Sequence, residues 1–318
     1  MPLPALAAAA ALATLAHLSK GGSVNRAGVK KEMVRLIAMG DVDAARKLGE
    51  ESGIGFDLQR ADLKYVRIPG ADLSGANLQK ADLSMAKLRG ANLKEIEAHG
   101  ARFDYAVLVE ADLSGAVLTS ALFGAADLSG AKFDGATFGS VSFANAILRG
   151  ADLKSFDGWA NFNDADLSGA DFRGATIRGS FARANLSGAD LRGATLNSRN
   201  FDDVNFTGAK LDGLDFSQAS LVGAVLEGAG IDGANFDSAN LSGAKLGGAS
   251  AVGASFEGAT LDHADLTGAD LTGANLSYAS IDNAKGLDLG RNRTFKGIPS
   301  GCTLVQKIGG RTILVLKD

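Results

Sequence analysis

Several things are scarce in this chain, and each scarcity excludes something. Among 318 residues there is a single cysteine, Cys302, so no intrachain disulfide can form and no cysteine-based metal site exists. That usage suits a reducing compartment, and a cytoplasmic location is the expectation. The three histidines, His17, His99 and His263, are far apart, and none stands at metal-ligand or nucleophile spacing. There are only 4 prolines, 3 tyrosines and 1 tryptophan. Residues 3–18 are apolar, but no Lys or Arg precedes them, and as a helix they would reach only about 24 Å of a hydrocarbon core of about 30 Å. Neither a transmembrane span nor an export signal is expected from them.

What is abundant is glycine, 42 residues, together with alanine, leucine and 16 phenylalanines. These are ordered. From Leu58 a large apolar residue recurs every five positions, through Leu63, Ile68, Leu73, Leu78, Leu83, Leu88 and Leu93, then from Phe103 in phase to Leu153. Ala usually stands two before it, Asp or Asn one before it, and a small pair such as Ser-Gly follows. The string ADLSGANL at 71–78 shows the unit. A five-residue period fits neither a helix nor a plain strand. It fits a chain that turns a corner every five residues, the large residue and the Ala pointing inward and the other three outward. Gly near the end of the unit suits the corner.

The phase slips twice, each time one residue short of two units: Leu153 to Phe162 and Ile177 to Leu186, with Phe156, Trp159 and Phe181 inside the slips. It then holds to Ile281. Ala98 and Ala251 replace the large residue, and Val141, Arg199, Val204 and Leu214 replace the small one. A bulge or widened coil is expected at Arg199, because a charge should not point into such a core.

These units resemble the pentapeptide-repeat family, whose pattern is A(D/N)LXX, over about 225 residues. The resemblance implies an all-β solenoid, a right-handed quadrilateral β-helix with four units per coil. Forty-six units would make about eleven coils, and coils stacked about 4.8 Å apart would give a rod about 50 Å long.

The ends are not repeats. The expected organisation is an apolar Ala/Leu helix and joint at 1–22, a helical cap at 23–52, the β-helix at 53–290 and a β-hairpin at 291–318. In the cap, Val29, Met33, Leu36 and Ile37 fall on one helix face, Asp41 is a natural N-cap and Gly49 a natural stop. At the far end CTLVQKI, Gly309-Gly310 and RTILVLK spell a hairpin. Its strand Ile313, Leu314, Val315, Leu316 is apolar on both faces, to be covered by the last coil or by another chain. The leucines Leu3, Leu6, Leu12, Leu15 and Leu18 spread around their helix, which therefore wants burial against its own chain, a sister subunit, another protein or a membrane surface. These nine residues are the candidate interaction positions.

No catalytic or cofactor-binding constellation is expected. The many Asp and Ser residues belong to the motif, the Ser residues mostly lack a nearby base, and a filled core leaves no ligand-sized pocket. Charge is uneven. The total is −4, but residues 200–284 hold 12 acidic residues against Lys210 and Lys245, a net of −10, and residues 285–318 carry a net of +5. Some family members resemble DNA and bind DNA gyrase or topoisomerase IV, so an anionic DNA mimic is one reading. Assigned to four faces in order, however, the acid spreads around the rod. The preferred expectation is a non-enzymatic structural and protein-interaction module, a rigid rod that self-associates or joins a larger complex through its ends. It is not expected to bind nucleic acid directly. Attachment to a membrane surface through residues 3–18 is the remaining alternative.

Overall fold

The computed structural model describes residues 25–286 and the backbone of 302–308 and 311–316. It divides into two compact units, Met1–Ile147 and Leu148–Asp318.

The first unit opens with two helices, α1 (Arg26–Ala38) and α2 (Val42–Glu51). Asn25 caps α1, its side-chain oxygen accepting from the Gly28 N–H at 3.1 Å, and Asp41 caps α2, accepting from the Ala44 N–H at 3.0 Å. Val29, Met33, Leu36 and Ile37 are buried together, as are Ala45 and Leu48. Gly49 does not end α2, which runs on to Glu51. It serves a different need: a Cβ there would lie 2.1 Å from the Gly55 carbonyl oxygen, so glycine lets the chain fold back against the helix. Lys30 pairs with Asp57 at 2.6 Å. Arg46 donates to the Ser74 carbonyl at 3.0 Å and lies 4.5 Å over the Phe56 ring, which ties the helices to the repeats.

From there the five-residue unit builds the structure. Ala and Leu point in, and the next two residues turn. The Ala76 N–H, for example, donates to the Leu73 carbonyl at 3.1 Å. The second turn residue is left-handed, with Gly75 at φ +64°, the geometry of a turn that favours glycine. The Asp or Asn side chain closes the same turn, the Asp72 Oδ1 accepting from the Ser74 N–H at 3.0 Å. Neighbouring turns of the solenoid pair in parallel twenty residues apart, as in Asp57↔Asn77, Asp62↔Asp82 and Asp72↔Asn92. Four five-residue units therefore complete one turn. Inside, Leu and Phe stack: Phe103 and Phe123 lie 4.9 Å apart and Phe123 and Phe143 5.1 Å apart, nearly parallel. A short strand, β1 (Ser140–Ser142), replaces one corner.

The second unit contains both slips, and they are stacked on each other. β2 (Asp157–Asn161), β3 (Thr176–Ser180) and β4 (Thr195–Leu196) pair in parallel, Asp157 opposite Thr176 and Thr176 opposite Thr195. Pairing is nineteen residues apart in this region, as in Asp152↔Asp171 and Asp171↔Asp190, and returns to twenty at Asn185↔Asn205. Each slip removes one turn residue, and the chain runs straight where it would bend. Phe156 then fills a small position, Gly158 a large one, and Trp159 is thrown outward. At Arg199 the regular turn is lost, residues 197–199 forming none. Ser198 turns inward, Arg199 points out and donates to Gln218 at 2.9 Å, and Leu196 is only half-buried. Farther on, β5 (Cys302–Ile308) and β6 (Arg311–Leu316) pair antiparallel, Cys302 opposite Leu316 and Val305 opposite Ile313.

Candidate interaction surfaces

Large side chains fill the interior. Every in-phase large residue from Leu58 to Ile281 is buried except Leu196. His99 and His263 are exposed, and among the described residues no group of His, Cys, Asp or Glu is arranged to hold a metal ion. A cleft of about 600 Å³ opens outside the core, between Met39–Asp43 of the helical cap and Arg67–Asp72 of the first repeats. No helix among the described residues is long and apolar enough to cross a membrane.

The carboxylates do structural work in two ways. Those before the large residue close their own turn, as Asp215, Asp265 and Asp270 do by accepting from the N–H two residues on. Others sit in the turn and reach the next one. Asp202 accepts from the Ser220 hydroxyl at 2.5 Å and the Val222 N–H at 3.0 Å. Asp232 does the same toward Ser250 and Val252, Asp237 toward Ser255 and Glu257, and Asp262 toward Ser280 and Asp282. Asp212 reaches the Asp232 N–H at 3.2 Å. Five of the twelve acidic residues between 200 and 284, Asp202, Asp212, Asp232, Asp237 and Asp262, thus fasten one turn to the next through a backbone N–H.

A ladder of ion pairs runs along one side of the second unit: Lys154 with Asp152, Arg173 with Asp171, and Arg192 with Asp190, the last two at 2.7 Å. The Arg192 guanidinium, helped by the Arg192 N–H, holds the Asp190 carboxyl down at about 2. A carboxyl depressed in the folded state stabilises above its unfolded pKa, and that contribution disappears as pH falls through the folded value. Stability should therefore decline between about pH 4 and pH 2 with a contribution from Asp190. In Asp190→Asn this part of the acid limb should flatten while stability at neutral pH drops. Urea midpoints measured from pH 7 down to 2 test it, and an unchanged acid limb would refute it.

The positions singled out in the sequence fall unevenly. Leu3, Leu6, Leu12, Leu15 and Leu18 lie outside the described residues. Ile313, Leu314, Val315 and Leu316 lie in β6, where their backbone pairs with β5. Other exposed apolar side chains were not anticipated: Tyr65, Met85, Tyr105, Trp159 and Tyr278. A signal for three of them was available. Tyr65, Met85 and Tyr105 recur every twenty residues at the turn position where the motif prefers glycine.

The pentapeptide repeat model matches 8 copies in this chain, over residues 57–94, 99–123, 121–157, 158–198, 200–237 and 239–277. The chain belongs to the pentapeptide repeat family. Membership carries the right-handed β-helical solenoid with it, in agreement with the parallel pairing along both units. Among solved structures, the chain is similar to HetL, a pentapeptide repeat protein involved in heterocyst differentiation regulation from the cyanobacterium Nostoc sp. strain PCC 7120. Identity is 31%, covering 76% of this chain and 93% of HetL, with a TM-score of 0.29. It is also similar to QnrB1, a plasmid-mediated fluoroquinolone resistance protein, at 20% identity over 70% of this chain and 86% of that one, with a TM-score of 0.32. A pentapeptide repeat protein of the Arabidopsis thaliana thylakoid lumen shares 33% identity over 39% of this chain and 70% of its own, with a TM-score of 0.17. No curated protein matches the chain.

Proposed function

We propose that this pentapeptide repeat protein is a non-enzymatic interaction module, a rigid four-sided rod of about eleven coils that assembles through its ends. One observation carries the reading: large side chains fill the interior from Leu58 to Ile281, so the outer surface and the two ends are what remains for recognition. The single cysteine favours a reducing compartment, and we place the protein in the cytoplasm. Residues 3–18 and the strand Ile313–Leu316 supply the apolar contacts at the two ends. Deleting residues 1–22 should leave the thermal midpoint of the repeats unchanged and reduce self-association or partner binding. Light scattering on the full chain and on the deletion variant tests this. A full-length protein that stays monomeric and retains no partner would overturn it, and flotation with liposomes separates protein docking from membrane attachment.

The anionic stretch 200–284 favours a second reading, an anionic mimic of DNA directed at gyrase. Its support is that Lys210 and Lys245 are the only cations there. Against it, many of those carboxylates are already engaged in fastening one turn to the next. A supercoiling assay decides: the interaction-module reading expects no inhibition at micromolar excess.

A further inference from the structure

In each turn the second residue is left-handed, a conformation glycine adopts freely and bulky residues rarely adopt. Two corners of the first unit follow that preference almost throughout, with Gly70, Gly90 and Gly130 at one and Gly75, Gly115 and Gly135 at another. A third corner does not. Tyr65, Met85 and Tyr105 occupy it at φ +61°, +61° and +60°. They stand on successive turns, about 4.8 Å apart along the solenoid. They are 64%, 42% and 61% exposed, so the conformational cost brings no burial within their own unit. The preceding corner bears the same cost at Arg60, Lys80 and Ser120, but here the residues held outward are large and apolar, which marks a surface kept for contact.

The ridge is flanked by cations, and the exposed Asp62 and half-buried Asp82 stand between it and the first pair. Arg60 and Lys80 stand at the preceding corner, also left-handed, and Arg67 and Lys87 are exposed on the following side. None of these four has an ion-pair partner among the described residues, whereas Lys64 and Arg102 nearby are neutralised by Asp82 and Asp104. A second ridge laid on this one would oppose basic flank to basic flank.

The second unit carries a surface of the opposite kind. Ser220, Asn240, Thr260 and Ser280 pair turn to turn and form a strip of small, neutral residues. One edge of the strip bears Asp237, Glu257 and the exposed Tyr278. The other bears the exposed Asp203 and the half-buried Asp202, Asp262 and Asp282, of which Asp202 and Asp262 also accept from Ser220 and Ser280 of the strip. Lys210 and Lys245 lie elsewhere, in the pairing series of Asp190 and Val225, while Arg199 stands at the near end of the strip, donating to Gln218.

We propose that the Tyr65–Met85–Tyr105 ridge docks on this strip in a second copy of the chain. The apolar side chains lie along the small residues, Arg60 and Lys80 meet one acidic edge, and Arg67 and Lys87 meet the other. Both surfaces repeat at the strand spacing, so a match made at one turn recurs at the next. The contact is side-on and does not rest on the end contacts proposed above.

The test exploits the backbone. In the triple variant Tyr65→Gly, Met85→Gly, Tyr105→Gly, the left-handed cost is removed, so the protein should fold with an unchanged or raised thermal midpoint. Sedimentation at about 0.05 M salt should show the full chain self-associating, with an association constant at least about tenfold weaker in the triple variant and similarly weakened near 0.5 M salt. A chain carrying Lys80→Glu and Lys87→Glu should fail to self-associate, and so should one carrying Asp203→Lys and Glu257→Lys. Mixed, the two should associate again. A monomeric full chain overturns the proposal, as does association that the glycine variant leaves intact. Association that survives the glycine variant but is lost on deleting residues 1–22 overturns the ridge contact and leaves the end-contact reading standing.

Discussion

Phe236→Ala should cost about 3–5 kcal/mol of unfolding free energy, at the upper end of what core truncation produces. Phe236 is fully buried between Phe216 and Phe256, with ring centroids 5.1 and 5.0 Å away and planes within 5° of parallel. Truncation therefore removes ring contacts on both sides as well as hydrophobic burial. The site cannot collapse to fill the gap. The Phe216 N–H donates to the Asn235 carbonyl at 2.7 Å, and the Phe236 N–H donates to the Ser255 carbonyl at 2.7 Å, so the backbone above and below is held at the strand spacing. Phe236→Leu is the informative partner. Leu is the commonest residue at this position in the repeat, and its branched side chain fills most of the volume, so the loss should stay below about 1.5 kcal/mol. Urea denaturation of both variants checks the pair. Equal losses would mean that the stack contributes through something other than volume and ring contact.

The period of five was legible because core geometry leaves it no freedom. One large and one small inward position per unit, repeated from Leu58, admits only a chain that bends at fixed intervals. The cap was partly legible: the helical faces and the Asp41 cap could be read, but Gly49 read as a stop. A glycine near a helix end usually is one, and the approach of the Gly55 carbonyl is a contact between segments that local pattern cannot carry. Arg199 could be read as a defect because charge and core are incompatible, and Ser198 turning inward is the local solution. The acidic stretch was legible only as charge. That Asp202, Asp232, Asp237 and Asp262 each reach a hydroxyl eighteen residues on and an N–H twenty residues on depends on turn-to-turn spacing, which composition does not contain. The exposed ridge was missed for a related reason. Its residues are ordinary singly and unusual only when read every twenty positions against the left-handed φ they adopt.

Gly179→Ala should destabilise by about 3 kcal/mol or more, the largest effect expected from adding one methyl group to this chain. Gly179 lies in β3 opposite Ala160 of β2, with φ +134°. A Cβ there would stand 1.9 Å from the Ala160 carbonyl oxygen and 2.9 Å from its carbonyl carbon. The obstacle is backbone on a paired strand, so no side-chain rotation relieves it. The requirement follows from the slip itself. Losing one residue removes the turn that elsewhere absorbs the change of direction, and the straightened strand must bring Gly179 against its neighbour at a small inward position. Gly174 isolates the two contributions. It is also left-handed, at φ +73°, but a Cβ would meet nothing within 4 Å. Gly174→Ala should therefore cost only the conformational part, about 1 kcal/mol. Thermal and urea unfolding of the two variants measure the difference. If both cost the same, the close approach of β2 and β3 is not what fixes glycine at 179, and the straightened corner has room that its pairing geometry denies.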